Sequence, residues 1–263
     1  MFAIIITMIT DILAGLVGWV IGIVVNYVAD VFPLRRRLVR PFCIACDRPQ
    51  RWVAYALWPR RCTVCGYRRR WRVWVVEVAF IILAVWLWRI PAEKLGFWGG
   101  ILLLAYFGVV VVIDVEYRLI MHPVSIAGGI MALLIGTYLH GFINSMLGGL
   151  AGFGAMWLLY KFGEVIMRLV SRLRGQAVDD VALGFGDVNL SGVLGLLLGW
   201  PAILVGLLLA VLLAGVVSMV YLVVMLILRR YRLFTALPYG PFLIASAALL
   251  IFFRDGLIRL LEK

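Results

Sequence analysis

FWGGILLLAYFGVVVVIDVEYR, residues 97–118, sets the class of protein to which this chain belongs. The stretch has no charged side chain up to Ile113 and then meets the acid Asp114. About 20 consecutive apolar residues are needed to cross the hydrocarbon core of a bilayer as a helix. The stretch therefore predicts a transmembrane helix that ends at an acidic residue.

Apolar stretches of this kind recur along the chain. Of its 263 residues, 65% are hydrophobic and 14% are charged, and the mean hydropathy is +1.09. Soluble domains carry about a quarter of charged residues. We expect an all-α polytopic membrane protein with about eight transmembrane helices, the first being a retained span rather than a signal peptide. The spans are predicted at residues 3–29, 73–90, 97–114, 124–140, 145–166, 187–200, 202–228 and 238–253.

One polar block divides this pattern. We expect three segments: a first span (1–32), the polar block (33–72) and a membrane core (73–263). With eight alternating spans, twenty of the 25 Lys and Arg residues fall on the side of the polar block and five on the other. Cytoplasmic loops carry the excess of Lys and Arg, so the block is predicted inside and both termini outside. The net charge of +12 then reflects topology and contact with membrane lipid, and we expect no nucleic-acid partner.

The polar block holds all four cysteines of the chain. They form two Cys-x-x-Cys pairs, Cys43 with Cys46 and Cys62 with Cys65. Two such pairs can complete a tetrahedral four-thiolate site, so we expect them to bind a structural zinc ion. The alternative is a pair of disulfides, which the reducing cytoplasm disfavours.

Two acids lie at the membrane boundary on the same predicted side. Asp114 ends the third predicted span on the inside, and Asp187 begins the sixth, which starts from the inside. Each has a simpler explanation, because Asp187 could cap its helix and Asp114 could be an ordinary boundary residue. Carboxylates at the edge of the hydrocarbon are costly, however, and two at one depth indicate a functional pair.

Peptide-bond hydrolysis is the reaction that suits two neighbouring carboxylates. Like charges in a medium of low dielectric constant do not both ionise, so the pair would share one proton. The ionised acid could then activate water while the protonated acid donates to the scissile carbonyl. Gly184 and Gly186 leave room beside Asp187 for a substrate backbone. Asp179 and Asp180 are expected to lie in a solvated loop.

These motifs resemble those of the type IV prepilin peptidase family, the membrane aspartyl proteases with a Gly-x-Gly-Asp motif. The resemblance covers most of the chain and is strongest in GFGDVNL (184–190) and LPYGPF (237–242). GIVVN (22–26) and DVFP (30–33) are similar to the family's N-terminal motifs, with Ile and Val at two positions where the family has other residues. The tandem Cys-x-x-Cys block follows directly, as in bifunctional members.

The resemblance implies a function and a site. Asp114 and Asp187 would be the catalytic pair, with Gly184 and Gly186 as the supporting motif. The substrate would be the helix of a prepilin or pseudopilin, cut after its basic leader at the cytoplasmic face of the bacterial inner membrane. A second activity would methylate the new N-terminus from S-adenosylmethionine, with Asn26 and Glu77 lining that site. Asn26 could instead bond two helices together, and Glu77 could pair with Arg70 or Arg72.

Two other functions are compatible with the sequence. The chain could be a membrane aspartyl protease that acts on other helical substrates. It could also be a zinc-bearing membrane scaffold or transporter, in which both aspartates are structural. Cleavage of a model prepilin distinguishes the first function from the last.

Overall fold

The chain folds almost entirely into helices. The computed structural model describes residues 2–57, 60–92, 94–174, 184–228 and 238–253. This part of the chain contains nine helices and two isolated β-bridges. The helices are α1 (Phe2–Arg35), α2 (Trp52–Ala56), α3 (Arg72–Arg89), α4 (Gly96–Tyr117), α5 (His122–His140), α6 (Phe142–Arg174), α7 (Phe185–Leu198), α8 (Ala202–Ile227) and α9 (Gly240–Phe252).

The prediction of an all-α polytopic membrane protein is confirmed. Each of the eight predicted spans coincides with a helix, and α2 is an addition inside the polar block. Within the described ranges, five helices are long and apolar enough to cross a bilayer, namely α1, α4, α5, α6 and α8. Helices α7 and α9 are apolar but shorter. Helix α3 is 18 residues long and includes Arg72, Glu77 and Arg89.

Apolar side chains cover the outer surface of the long helices. On α8, Leu208, Met219 and Ile227 are 63%, 68% and 74% exposed. Exposed apolar surface on this scale is unfavourable in water and is what lipid tails solvate. The surface of α8 therefore fits a bilayer environment.

The chain divides into two compact units, Met1–Ile113 and Asp114–Lys263. In the first unit, α1 packs closely against α3 through glycines on α1. A Cβ atom at Gly22 would lie 2.9 Å from the Cα atom of Glu77. Glycine is therefore needed for the two helices to approach at this point.

In the second unit, α6 and α7 pack backbone against backbone. A Cβ atom at Gly148 would lie 2.6 Å from the carbonyl carbon of Gly199. The Ser191 hydroxyl donates to the carbonyl oxygen of Gly152 at 3.0 Å, and the Ser145 hydroxyl donates to that of Leu196 at 2.6 Å. Small residues and interhelical hydrogen bonds thus hold α7 in place, and α7 carries one of the two predicted site acids.

Candidate active site and metal centre

Asp114 lies near the C-terminal end of α4 and is buried. Its side chain is 5% exposed, although its neighbours Val115 and Glu116 are exposed. The apolar run before it packs inward through Val110 and Ile113, and this register turns Asp114 to the inside as well. Within the described part of the chain, its Oδ2 atom is buried without a hydrogen-bond partner. An acid in this position differs from an ordinary solvated boundary residue.

Asp187 occupies the first turn of α7 and is half-buried. Gly184 is the N-cap residue, so Asp187 is the third residue of the helix rather than its cap. The Gly184 backbone amide donates a hydrogen bond to the Asp187 carboxylate, in the manner of the acidic half of a capping box. A Cβ atom at Gly184 would lie 3.4 Å from Oδ2 of Asp187. The carboxylate therefore both secures its helix and remains within the site.

The second unit brings the two acids together. The Asp114 and Asp187 carboxylates interact electrostatically with each other, although the residues are 73 positions apart in the sequence. Gly186 is pressed against the turn before α5, where its Cβ atom would lie 2.8 Å from that of Ile120. Gly186 thus sets the approach of α7 to this turn, and no side chain fits there. The site is a pair of acids at two helix ends.

Two residues at the start of α9 also reach this site. The Gly240 backbone amide, at the start of α9, donates a hydrogen bond to the Asp114 carboxylate. The Tyr239 side chain interacts electrostatically with Asp187. Both residues belong to the LPYGPF motif, for which the sequence indicated no role at the site. The signal that could have found them is the Gly-Pro pair at a helix start, a position at which backbone amides are unpaired.

Two further acids and a histidine of this region remain to be placed. Asp179 and Asp180 lie outside the described residues. His122 is exposed at the start of α5, and its Nδ1 atom is 3.5 Å from Nδ2 of Asn189. Among the described residues, the pair therefore consists of Asp114 and Asp187, with Tyr239 and Gly240 beside them.

The four cysteines of the first unit form a compact cluster. Their sulfur atoms all lie within 4.8 Å of one another, and no two of them form a disulfide. The Sγ atoms of Cys43 and Cys65 are 3.6 Å apart, as are those of Cys46 and Cys62. Zinc–sulfur bonds of about 2.3 Å in a tetrahedron place sulfur atoms about 3.8 Å apart. The cluster could therefore hold a metal such as zinc.

Both cysteine pairs lie in turns of the same kind. The Cys43 amide donates to the Arg48 carbonyl and the Cys62 amide to the Tyr67 carbonyl, each at 2.9 Å. The turns then use positive backbone angles, φ +57° at Asp47 and φ +70° at Gly66. Backbone amides of Cys65 and Val64 point at the Cys62 sulfur and lower the pKa of Cys62 to about 6. The other thiols do not share this shift, since burial and the neighbouring cysteines raise the pKa of Cys46 and of Cys65. A bound divalent cation would favour the thiolate form of all four cysteines.

Asn26 and Glu77, the two residues predicted to line a methyl-donor site, are buried between α1 and α3. The Asn26 side-chain amide donates to the Val73 carbonyl at 3.0 Å. Glu77 accepts hydrogen bonds from Trp19 at 3.0 Å and from Arg60 at 2.7 Å. Within the described residues, Oδ1 of Asn26 is buried and has no hydrogen-bond partner. Gly22 of α1 packs directly on Glu77. In this arrangement the two side chains do not form an open cradle for S-adenosylmethionine, and that assignment stays a prediction.

Comparison with known proteins gives a consistent family. The profile of the type IV leader peptidase family matches residues 101–219, which include both aspartates. A prepilin leader peptidase/N-methyltransferase of Pectobacterium carotovorum subsp. carotovorum is 31% identical over 64% of this chain and 55% of its own length. The protein of that name from Aeromonas salmonicida (strain A449) is 25% identical over 77% of this chain and 66% of its own length.

The match to a third relative covers a larger share of that relative's length. The prepilin leader peptidase/N-methyltransferase of Klebsiella pneumoniae is 28% identical over 64% of this chain and 73% of that protein. No solved structure matches the chain. The chain thus spans 55% to 66% of the length of the first two relatives. Over residues 101–219 the chain is therefore similar to the type IV leader peptidase family.

Proposed function

We propose that the chain is a prepilin leader peptidase that uses Asp114 and Asp187 as an aspartyl pair. The observation that carries the proposal is the shared site of two acids, Asp114 buried at the end of α4 and Asp187 in the first turn of α7. Ile120 lies between them, since it packs against both Gly240, which touches Asp114, and Gly186, which precedes Asp187. The family and the names of the relatives support the same function. The substrate would be a prepilin or pseudopilin helix with a basic leader.

The proposed reaction needs one proton shared by the two acids. The ionised carboxylate takes a proton from a water molecule, and the resulting hydroxide attacks the scissile carbonyl carbon. The protonated partner donates its proton to the carbonyl oxygen, which gives a tetrahedral diol. The acid that took the proton from water then protonates the amide nitrogen, and the carbon–nitrogen bond breaks. At the same time a diol hydroxyl gives its proton to the other carboxylate, which leaves a carboxylic acid and a free amine. The pair ends with one proton, as it began, and we assign neither role to either residue.

The position of the reaction follows from the charge distribution of the sequence. With the polar block inside, both acids fall at the cytoplasmic boundary of the bacterial inner membrane. A basic leader would remain on this side while the apolar helix of the substrate occupies the bilayer. The bond between these two parts would then lie at the depth of the acids.

We propose a structural rather than a catalytic role for the metal site. Cys43, Cys46, Cys62 and Cys65 would hold zinc, which closes the two turns on each other when bound. All four positions around the ion would be filled by sulfur, so the site has no place for a reacting water. The block therefore serves the fold of the first unit rather than the cleavage step.

Methylation of the new N-terminus is the second activity that the names of the relatives suggest. We include it as a separate reaction with its own test. Asn26 and Glu77 do not support it in the arrangement described above, and we derive no step from them. Incubation of the cleaved product with labelled S-adenosylmethionine and the purified chain decides this part, because label either enters the new N-terminus or does not.

Incubation of the purified full chain with a model prepilin in lipid tests the peptidase proposal. We expect a single cut between leader and helix, identified by the mass of both products. A preparation in which both aspartates are replaced by asparagine is the matched blank. Failure of the parent chain to cut several prepilins, with the fold and the metal content intact, would instead favour the scaffold or transporter interpretation.

A further inference from the structure

The turn that begins α9 lies against Asp114, the buried member of the acid pair. It comprises residues 238–241, Pro-Tyr-Gly-Pro, and precedes an apolar helix of 13 residues. We propose that this turn is a positioning element: Gly240 orients Asp114 through its backbone amide, and the adjacent Tyr239 acts on the charge of Asp187. The inference rests on the proposed peptidase function and adds two residues to its site.

Gly240 is in direct contact with Asp114. The residue is buried, and its amide donates a hydrogen bond to the carboxylate. A Cβ atom at this position would lie 2.6 Å from Oδ2 and 3.2 Å from Cγ of Asp114. Real Cβ atoms do not approach oxygen so closely, so any side chain would displace the carboxylate or the turn. Glycine is therefore required here by contact with a site residue rather than by its backbone angle.

The helix start makes the Gly240 amide available as a donor. The first amides of a helix have no acceptor within the helix, and Pro241 supplies no N–H group of its own. Because Oδ2 of Asp114 has no partner in the described residues, this amide is a main determinant of how the carboxylate is oriented. Ile120 closes the other side, with its Cδ1 atom 3.5 Å from the Cβ position at residue 240.

Tyr239 connects the same turn to the other acid. Its side chain is half-buried and interacts with the Asp187 carboxylate. Asp187 is otherwise held by the Gly184 amide of its own helix. One turn of α9 thus contacts the acid from α4 and lies within electrostatic range of the acid from α7. Because a shift of about 1 Å in such a pair can cost on the order of 100-fold in rate, a fixed turn between them has a direct effect on catalysis.

Substitution of Gly240 gives the first test. We expect Gly240→Ala to lower kcat for a model prepilin by on the order of 100-fold, to leave KM within about twofold, and to displace the pH–rate profile. Gly215→Ala on α8 is the matched control, since no atom lies within 4 Å of its Cβ position. A Gly240→Ala protein with the parental kcat and pH–rate profile overturns the proposal for Gly240.

Substitution of Tyr239 keeps the proposal testable if Gly240→Ala does not fold. Tyr239→Phe removes only the hydroxyl group and preserves the ring. We expect the melting temperature to stay at the parental value while the pH–rate profile moves, because the hydroxyl is beside an acid of the pair. An unchanged profile in Tyr239→Phe overturns the part assigned to Tyr239.

Infrared spectroscopy separates this inference from the proposed function. In protein labelled with ¹³C-aspartate, the carboxyl bands that Asp114→Asn and Asp187→Asn remove report on the two acids without any substrate. We expect Gly240→Ala to move the Asp114 band and Tyr239→Phe to move the Asp187 band, whereas Gly215→Ala moves neither. Shifted bands in a chain that cuts no prepilin would sustain the turn and refute the peptidase. Unmoved bands in a chain that cuts prepilin would refute the role of the turn and sustain the peptidase.

Discussion

Arg60 and Glu77 form an ion pair between the polar block and α3 that is almost completely removed from solvent. The Arg60 side chain is 4% exposed, that of Glu77 is 3% exposed, and Arg60 also lies 4.3 Å from the ring of Trp74. We expect Arg60→Ala to destabilise the first unit by about 3–5 kcal/mol, since it leaves a buried carboxylate without its cation. Thermal unfolding in detergent measures the loss.

Arg35 provides the control for that substitution. It pairs with Asp47 at the surface, where the two side chains are 39% and 68% exposed. Removal of such a pair costs about 0–1 kcal/mol. The double variant Arg60→Met with Glu77→Gln removes both charges and is expected to be less destabilised than Arg60→Ala alone. Equal melting temperatures for Arg60→Ala and Arg35→Ala would show that the buried pair contributes no special stability.

The ion-pair partner of Glu77 could not be identified from the sequence alone. The sequence indicated Arg70 or Arg72, which are close in the chain, whereas the structure pairs Glu77 with Arg60. The reason is the second cysteine turn, which brings residue 60 back onto α3, while Arg72 pairs with Asp30 on α1. The bond from Asn26 to α3 is the alternative that the sequence left open beside a methyl-donor site, and a buried amide in an apolar helix needs such an acceptor.

Among the elements, the two cysteine turns depend most on a group outside the polypeptide. We expect Cys43→Ser to abolish metal retention in the purified chain, because Cys43 supplies one of four clustered sulfur atoms. Without metal the turns at residues 42–49 and 61–68 should become accessible to protease, whereas the helical circular dichroism signal should change little.

Ile44→Ser is the control for the metal site, since Ile44 lies in the same turn and is 52% exposed. This variant should retain metal at the parental stoichiometry, measured by elemental analysis. Chelator treatment of the parent chain should reproduce the protease pattern of Cys43→Ser. Full metal retention by Cys43→Ser would contradict a site that needs all four sulfurs.

The contact between α6 and α7 is the second element to test. We expect Gly148→Ala to lower stability by about 1–3 kcal/mol, because the added methyl group would collide with the backbone around Gly199. Gly154→Ala lies on the same helix, where no atom is within 4 Å of the Cβ position, and should melt at the parental temperature or above it. Equal melting temperatures would argue against close packing of these helices.

Prediction from the sequence worked best for the helices, and the features that it missed have physical reasons. Most span ends agreed with the helices to within a few residues because the apolar length that a bilayer requires is visible in the sequence, as in α4. Helices α1 and α6 continue six and eight residues past their predicted ends. Helix α2 was missed because WVAYA is only five residues long and lies in a polar block. The approach of residues 239 and 240 to the acids was missed because it depends on how α9 packs, and no local pattern reports that.

For the whole molecule, the testable property is its orientation in the membrane. The excess of Lys and Arg predicts the polar block inside and the turn between α5 and α6 outside. In intact cells, a membrane-impermeant thiol reagent should label a Phe142→Cys variant and not a Leu38→Cys variant, although both positions are exposed, at 58% and 62%. The reverse pattern would place the acids on the outer face and exclude cleavage in the cytoplasm.

The proposed mechanism requires Asp114, buried at the end of α4, and Asp187, half-buried at the start of α7, to act as one chemical unit. Glu116, an exposed acid two residues after Asp114 on the same helix, is the matched control for it. Catalytic groups that act together are strongly non-additive, so the double substitution should be no worse than the more damaging single one.

The most direct test of the central claim is the rate of prepilin cleavage by four variants of the purified chain. We predict that Asp114→Asn and Asp187→Asn each lower kcat by on the order of 10⁴-fold or more, that the double variant falls no further, and that Glu116→Gln keeps the parental rate. A near-parental rate in either single aspartate variant, with normal folding, would contradict the account.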